Sequence, residues 1–391
     1  METKVYLDYA ATTPVDARVA EAMLPYLQEE YGNPSSLYSL AQRSKKAIED
    51  ARETIADFIG ADPEEIVFTG CGSESNNWAL IGTAQARGNK GRHIITTAFE
   101  HPSVIEPAKF LAKQGFDITF LRPGDDGIIE PEQVAEAIRS DTILVSVMYV
   151  NNEVGTIQPL AEIGRVCAEK EVPLHTDAVQ ALGKIPFTVG ELGCSMLSMA
   201  AHKIYAPKGV GAFYLKKGTR IQPFLMGGGQ EGRRRAGTHN VAGIVGFGKA
   251  IELAASRLEE DQRRIAGLSD GLVRGLKDKI PDVTFNGDRG RALPNIVNLL
   301  VGGVEGESLL LHLDAKGIAV STGSACSSGS LAPSHVLLSM DIPQEKAHGS
   351  LRIALGRFTR QEDIDYLLEV LPPIVSTLRA MSPLYKEGQC V

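Results

Sequence analysis

From about residue 48 to residue 215 the apolar positions switch repeatedly between two spacings. One is the three-to-four spacing of a helix. The other is the short continuous run of a buried strand. Helical spacing covers residues 44–59 and 161–170, and the polar start after Gly72 opens a helix over 73–86. Short β-branched runs lie at 66–69, 93–98, 142–150, 172–176, 196–200 and 210–215, the first closed by Gly70 and the last bounded by glycines. Strands that alternate with helices predict a mostly parallel sheet with helices on both faces, an α/β architecture. Near residue 241 the pattern changes. Residues 241–260, continued to 279, read as one long helix. Strands are expected at 283–286, 295–301 and 350–355, and helices at 306–316 and 360–379. This second pattern predicts a smaller α+β unit, which the N-terminal run Val5-Tyr6-Leu7-Asp8 can join. The expected division is a large unit over 15–257 and a small one built from 1–14 and 258–391.

Composition narrows the class. The chain has 391 residues and a formal charge of -8, so no basic stripe marks it as a nucleic-acid binder. Arg233-Arg234-Arg235 is its only dense positive spot and is too short to be a polyanion-binding arm. No apolar run reaches about 18 residues, so no membrane span is expected. The start, Met1-Glu2-Thr3-Lys4, lacks an apolar signal core, which predicts a cytoplasmic protein. Five cysteines, at 71, 167, 194, 326 and 390, have no framework spacing and read as reduced thiols. Cys71, Cys167 and Cys194 read as structural, and Cys390 lies in a polar tail. With no CxxC and no His/Cys cluster at ligand spacing, no structural metal is expected.

In such sheets ligands sit at the carboxyl ends of strands, and the chain's unusual polar residues fall there. Lys203 follows the run 196–200, and Asp177 follows 172–176. A lysine amine that can condense with an aldehyde, and an aspartate that can keep a ring nitrogen protonated, are the pair that pyridoxal phosphate needs. Gly72 and Ser73 open a helix directly after the run 66–69, where backbone N–H groups and a hydroxyl can cup a phosphate. His202 and Thr238 are further phosphate candidates. His101 closes the run 93–98, where an imidazole can stack on a flat ring and move protons. Gln180 can donate to a phenolic oxygen. Asn152 ends another run, and the fork of Arg352 suits an α-carboxylate. Cys326 lies among Ser, Thr, Gly and Ala, which cannot bury it and leave a mobile loop, as a reactive thiol requires.

Each of these residues also has a plainer reading. Lys203 and Gln180 would serve as surface residues, Asp177 as a helix N-cap, His101 as a structural histidine and Arg352 as an interdomain salt bridge. Gly227-Gly228-Gly229-Gln230-Glu231 is either a flexible turn or a support for the loop carrying Thr238. A nucleotide-binding α/β protein lacks its fingerprint here, since neither GxxxxGK[ST] nor a well-placed GxGxxG follows the first strands. Another pyridoxal-phosphate enzyme of the same fold, with Cys326 incidental, stays open on the residues alone.

Nine motifs in order resemble the cysteine desulfurases of the NifS/IscS type, within the class V aminotransferases of fold type I. They run from Tyr6-Leu7-Asp8-Tyr9-Ala10-Ala11-Thr12-Thr13-Pro14 and Tyr31-Gly32-Asn33-Pro34-Ser35-Ser36, through Glu100-His101, Asn151-Asn152-Glu153-Val154-Gly155, His175-Thr176-Asp177-Ala178-Val179-Gln180 and His202-Lys203. Gly227-Gly228-Gly229-Gln230-Glu231, Ser324-Ala325-Cys326 and Leu355-Gly356-Arg357-Phe358-Thr359 complete them. The resemblance implies a homodimer that converts L-cysteine to L-alanine and leaves a persulfide on Cys326 for a sulfur-acceptor protein, an iron–sulfur scaffold or a sulfur carrier. It implies that Lys203 holds pyridoxal 5'-phosphate covalently, Asp177 pairs with the ring nitrogen, Gln180 reaches the phenolic oxygen and His101 stacks on the ring. Ser73, Gly72, His202 and the partner's copy of Thr238 would hold the phosphate. Asn152 and Arg352 would hold the substrate carboxylate. Two positions depart from the family pattern. Ala200 and Ala236 stand where serine is usual, and the loss of one donor to a charged group is worth about 1–3 kcal/mol. The motif around Cys326 matches the branch with the longer loop, which favours cysteine over selenocysteine.

Overall fold

The computed structural model of the protein describes residues 4–322, 333–382 and 385. Among them, seven strands form the central sheet. Their order is Ile66–Thr69, Gly211–Leu215, Met196–Ala200, Leu174–Asp177, Thr142–Ser146, His93–Thr97 and Asp117–Leu121. Six run in one direction, and Gly211–Leu215 is antiparallel to both neighbours. All are buried along their length except the edge strand Asp117–Leu121. That is why they read as continuous apolar runs rather than alternating ones. Apolar side chains pack on both faces. Ile55, Ile163 and Phe247 belong to one core cluster, and Trp78, Val104, Leu111 and Phe213 to another.

The expected helix over 73–86 is interrupted. It runs as Gly72–Asn77, one π turn at Trp78–Gly82, and Thr83–Arg87. Trp78 Nε1 donates to Gln222 O at 2.7 Å, and a Cβ on Gly82 would stand 2.7 Å from that same carbonyl. The bulge accommodates this crossing segment. The expected strand over 142–150 stops at Ser146, and Val150 returns as an isolated bridge to Ile157.

The second unit carries the antiparallel sheet Ser350–Ala354, Ile296–Val301 and Val283–Phe285. The N-terminus enters it. Val5–Tyr6 pairs with Ile318–Ala319, and Asp8 bridges Ala354. Leu7, Leu299, Ile353 and Leu367 lie in its core. The helix Val241–Lys279 serves both units without a break. Ile244, Phe247 and Ile251 enter the first core, and Leu268, Leu272 and Leu276 enter the second. At 1.5 Å per residue the helix is about 58 Å long.

Candidate active site

The carboxyl ends of the parallel strands bring the expected residues together. Met196–Ala200 passes into one tight turn, Ala201–Lys203. Lys203 Nζ donates to Ala10 O at 2.7 Å and Ala11 O at 2.5 Å. The N-terminal run is fastened to the same turn, because Thr13 donates through both N and Oγ1 to His202 O, each at 3.0 Å. Tyr205 takes a left-handed backbone with φ 69°, a conformation that costs of order 1–3 kcal/mol. Its N–H donates to Thr13 Oγ1 at 2.8 Å, and the Arg357 guanidinium lies 4.4 Å from its ring centre.

Asp177 is the last residue of the neighbouring strand, in register with Ser198. It is buried. Oδ1 accepts from Val179 N at 2.9 Å, the local turn expected of an aspartate at a strand end. Oδ2 accepts from Asn76 Nδ2 at 2.7 Å. His101 begins the next strand–helix turn and caps the helix Pro102–Lys113. Its Nδ1 accepts the Ser103 N–H at 3.1 Å and lies 2.7 Å from Ser103 Oγ, which places the ring proton of a neutral imidazole on Nε2. Burial pushes the His101 pKa below its ordinary value. Asp177 opposes that shift, and Lys203 and His335 add to it. His202 donates to or accepts from Thr12 Oγ1 at 3.1 Å. Burial, then the charges of Lys203, Lys208 and Lys184, lower its pKa to about 4. Both shifts favour the neutral imidazole.

Gly72 starts its helix pressed against the sheet. A Cβ there would stand 2.8 Å from Val179 Cγ2 and 3.5 Å from Ala200 Cβ. Only glycine lets the first helical N–H groups come this close to the end of Met196–Ala200. Ser73 and Thr238 are exposed. Gln180 is buried, its amide donating to Ala10 O at 2.9 Å. Arg352 is buried as well. Nη1 donates to Asn152 O at 2.9 Å and Nη2 to Asp8 Oδ1 at 2.9 Å. The salt bridge of Arg352 is therefore with Asp8 of the N-terminal run, and its contact with Asn152 is a hydrogen bond to a backbone carbonyl. Cys326 and Cys390 lie outside the described residues.

Three contributors were absent from the sequence reading. Asn76 and Ser103 link Asp177 to His101, since Asn76 Nδ2 also donates to Ser103 Oγ at 2.8 Å. Ser103 lies two residues after His101, whereas Asn76 carries no signal beyond its place one turn after Gly72. The third is Arg52, which grips Glu231 with two 2.8 Å bonds. Phe68 N and His239 Nε2 add 2.8 and 2.7 Å contacts to the same carboxylate. The Gly227–Glu231 motif is thus anchored and is not a free turn. Cys71 differs from the other two cysteines read as structural. It is exposed and caps its helix, with Sγ accepting from Glu74 N at 3.4 Å. Cys167 and Cys194 are buried, and burial pushes both thiols up to about 12.

Comparison with known proteins shows the family. Residues 5–367 match the class-V aminotransferase family. The chain is 52% identical to the cysteine desulfurase IscS of Dictyoglomus turgidum, over 99% of this chain and 98% of that protein. It is 52% identical to the IscS of Methanosarcina thermophila, over 97% and 94%. Among solved structures, a NifS-like protein superposes with TM-score 0.90 at 38% identity, over 95% of this chain and 99% of that one. SspA in complex with cysteine superposes with TM-score 0.82 at 36% identity, over 91% and 100%. The chain is a member of the class-V aminotransferase family and, within it, of the IscS-type cysteine desulfurases.

Proposed function

We propose that this chain is a pyridoxal-phosphate-dependent cysteine desulfurase that turns L-cysteine into L-alanine and passes the sulfur to an acceptor protein. The observation that carries the reading is the meeting of Lys203, Asp177 and His101. The first two leave adjacent strands, and the imidazole feels the charge of both. The donor set suits the cofactor. An amine is available for its aldehyde, a buried carboxylate for its ring nitrogen, and a flat imidazole for its ring. Glycine at 72 opens the start of a helix for its phosphate, with His202, Ser73 and the second subunit's Thr238 as further holders. Bound there, the cofactor supplies an aldehyde that captures amines and a ring that accepts electrons.

The chain's own groups do the rest. Arg352 and Asn152 hold the substrate carboxylate and so fix which face meets Lys203. Lys203 is the base for the α-proton. Asp177 keeps the proton on the ring nitrogen. The neutral His101, with its proton on Nε2, handles the proton of the substrate thiol. The Cys326 thiolate attacks that sulfur. One S–S bond forms on Cys326, the substrate Cβ–S bond breaks, Cβ takes up a proton, and Lys203 returns a proton to Cα to give alanine. No outside oxidant is needed.

A homodimer is supported by apolar side chains left bare on one chain, among them Leu24, Leu27, Tyr31, Leu37 and Tyr38. The acceptor is an iron–sulfur scaffold or a sulfur carrier, and the cytoplasm is the expected compartment. No described helix is long and apolar enough to cross a membrane. The test is Cys326→Ala. The cofactor-loaded variant should keep its visible absorbance and make no alanine from cysteine. Mass spectrometry of the wild type after cysteine should place one extra sulfur on Cys326. Alanine formation by Cys326→Ala at the wild-type rate refutes the assignment.

A further inference from the structure

Gln180 is the residue proposed to reach the ring's phenolic oxygen, and an amide can do so only if its nitrogen faces the right way. Its two ends have opposite partners. Nε2 donates to Ala10 O at 2.9 Å, and Oε1 accepts from Lys184 Nζ at 2.8 Å. A carbonyl can only accept and an ammonium can only donate, so these two contacts together fix the amide's orientation. Lys184 lies four residues after Gln180, and its backbone is fastened in turn. Lys184 N donates to Ala181 O at 3.0 Å, and Lys184 O accepts from Gln262 Nε2 of the helix Val241–Lys279 at 2.7 Å. Gly183, with φ 67°, is wedged between Ile204 and Ala254, where an added Cβ would meet atoms at 3.0 and 3.1 Å. The lysine stem therefore leaves a turn that cannot shift.

We propose that Lys184 is a positioning residue of this site, holding the Gln180 amide with its N–H side toward the cofactor's phenolic oxygen. The proposal rests on the reading that Gln180 serves that oxygen. It goes beyond that reading by giving a role to a half-buried amine the reaction does not otherwise use. Lys184 and Lys203 line the same cavity between the two units, of about 50 Å³. Burial, and then the charge of Lys203, push the Lys184 pKa down to about 7. The other titratable groups lining that cavity are Tyr9, Tyr205, Asp261 and Arg357, and His202 feels the Lys184 charge across the turn. Lys184 itself is half-buried. The amine has N–H donors whether charged or neutral, so it serves Gln180 Oε1 on both sides of that pKa.

The test follows the visible absorbance of the cofactor-loaded protein against pH, without turnover. A donor to the phenolic oxygen stabilises its charged form, so losing that donor raises the pH midpoint of the absorbance change. Gln180→Ala should raise it by about one pH unit. Lys184→Met should raise it by a similar amount, and Lys184→Arg should restore it, because the guanidinium keeps both charge and donors. In a Gln180→Ala background Lys184→Met should add almost nothing. If the two changes add in full, Lys184 acts by charge alone and the proposal is wrong. It is also wrong if Gln180→Ala moves the midpoint and Lys184→Met leaves it in place. If Gln180→Ala itself moves nothing, the placement of Gln180 fails instead, and the positioning role fails with it. Should Lys184→Met not retain cofactor, Lys184→Gln supplies the same comparison. It keeps a donor without the charge, and must fall closer to wild type than Gln180→Ala does.

Discussion

Asn76 holds Asp177 and His101 in one network, through a single amide nitrogen that donates at 2.7 Å to Asp177 Oδ2 and at 2.8 Å to Ser103 Oγ. Both hydrogens of that nitrogen are thereby used, and the Ser103 hydroxyl lies 2.7 Å from His101 Nδ1. One buried side chain thus sets the direction of the acid and, through Ser103, the tautomer of the imidazole. Asn76 Oδ1, also buried, has no hydrogen-bond partner among the described residues. The cost of that orphan is tolerated because the nitrogen end has two jobs.

Asn76→Leu removes a donor to a buried carboxylate, which costs about 1–3 kcal/mol. Cofactor retention, measured by equilibrium dialysis, should weaken about ten- to hundredfold, the same energy expressed as an equilibrium constant. Asn76→Asp should be worse, because it sets a second negative charge against Asp177. Unchanged retention in both variants would reduce Asn76 to packing.

The anchor of the Gly227–Glu231 motif gives a stability prediction with a pH signature. Glu231 and Arg52 are almost fully buried and meet twice at 2.8 Å. Breaking such a pair leaves an uncompensated charge and costs about 3–5 kcal/mol. Glu231→Ala should therefore lower the urea midpoint strongly at pH 7. The bonds from Arg52 and His239 overcome the effect of burial and hold the carboxyl down, to about 2 against an ordinary 4.5. A lowered carboxyl stabilises above its unfolded pKa and loses that contribution as pH falls through the folded value. The difference between wild type and Glu231→Ala should thus shrink between pH 5 and pH 2. A difference that stays constant over that range would mean that the glutamate's charge is not what anchors the loop.

How much of this was legible in the chain depends on what each residue faces. Ile66–Thr69 and Met196–Ala200 were readable to the residue, because both are buried on every side and bounded by small or polar residues. The placement of Lys203, Asp177 and His101 was readable because each follows a buried strand of the parallel sheet, at the end where such strands converge. Asp117–Leu121 was missed. Unlike Ile66–Thr69 at the other edge of the sheet, it is not covered, and its polar Asp117 and Thr119 dilute the apolar signal. The helix Pro102–Lys113 was missed because Pro107 falls inside it. Cys71, read as structural beside Cys167 and Cys194, does cap its helix but is exposed where they are buried. The bonds of Asn76, Ser103 and Arg52 span 101, 27 and 179 positions. No local pattern encodes pairs so far apart.

Glu100 offers a second pH test, of opposite sign. Its side chain is fully buried, with Oε1 accepting from Met148 N at 2.7 Å and Thr97 Oγ1 at 3.0 Å, and no partner for Oε2 among the described residues. Burial pushes its pKa up to about 8. A raised carboxyl favours the folded state fully below its unfolded pKa, near 4.5, and that advantage disappears as pH rises through the folded value. The thermal midpoint of wild type relative to Glu100→Gln should therefore fall steadily from pH 5 to pH 9. Parallel midpoints across that range would show that Glu100 is ionised throughout.

Arg352 makes the last prediction, about substrate. Its guanidinium is held from two directions, by Asn152 O and by Asp8 Oδ1, each at 2.9 Å, while Nε is buried without a hydrogen-bond partner among the described residues. A fork clamped this way is pre-aimed, and a lysine cannot hold three directions from one nitrogen. Arg352→Lys should raise the KM for cysteine about ten- to hundredfold, the worth of roughly 1–3 kcal/mol in a charged hydrogen bond, with a smaller effect on kcat. Asp8 competes for the same cation while it aims it. Asp8→Asn keeps an acceptor and removes the charge, so KM should fall a few-fold at low salt while the cofactor-free protein loses stability through the weaker tie between the N-terminal run and the strand Ser350–Ala354. Steady-state alanine formation at two salt concentrations, with thermal melts of the same samples, reads both effects. An unchanged KM in Arg352→Lys would remove Arg352 from the substrate site and leave it as the bridge between the two units.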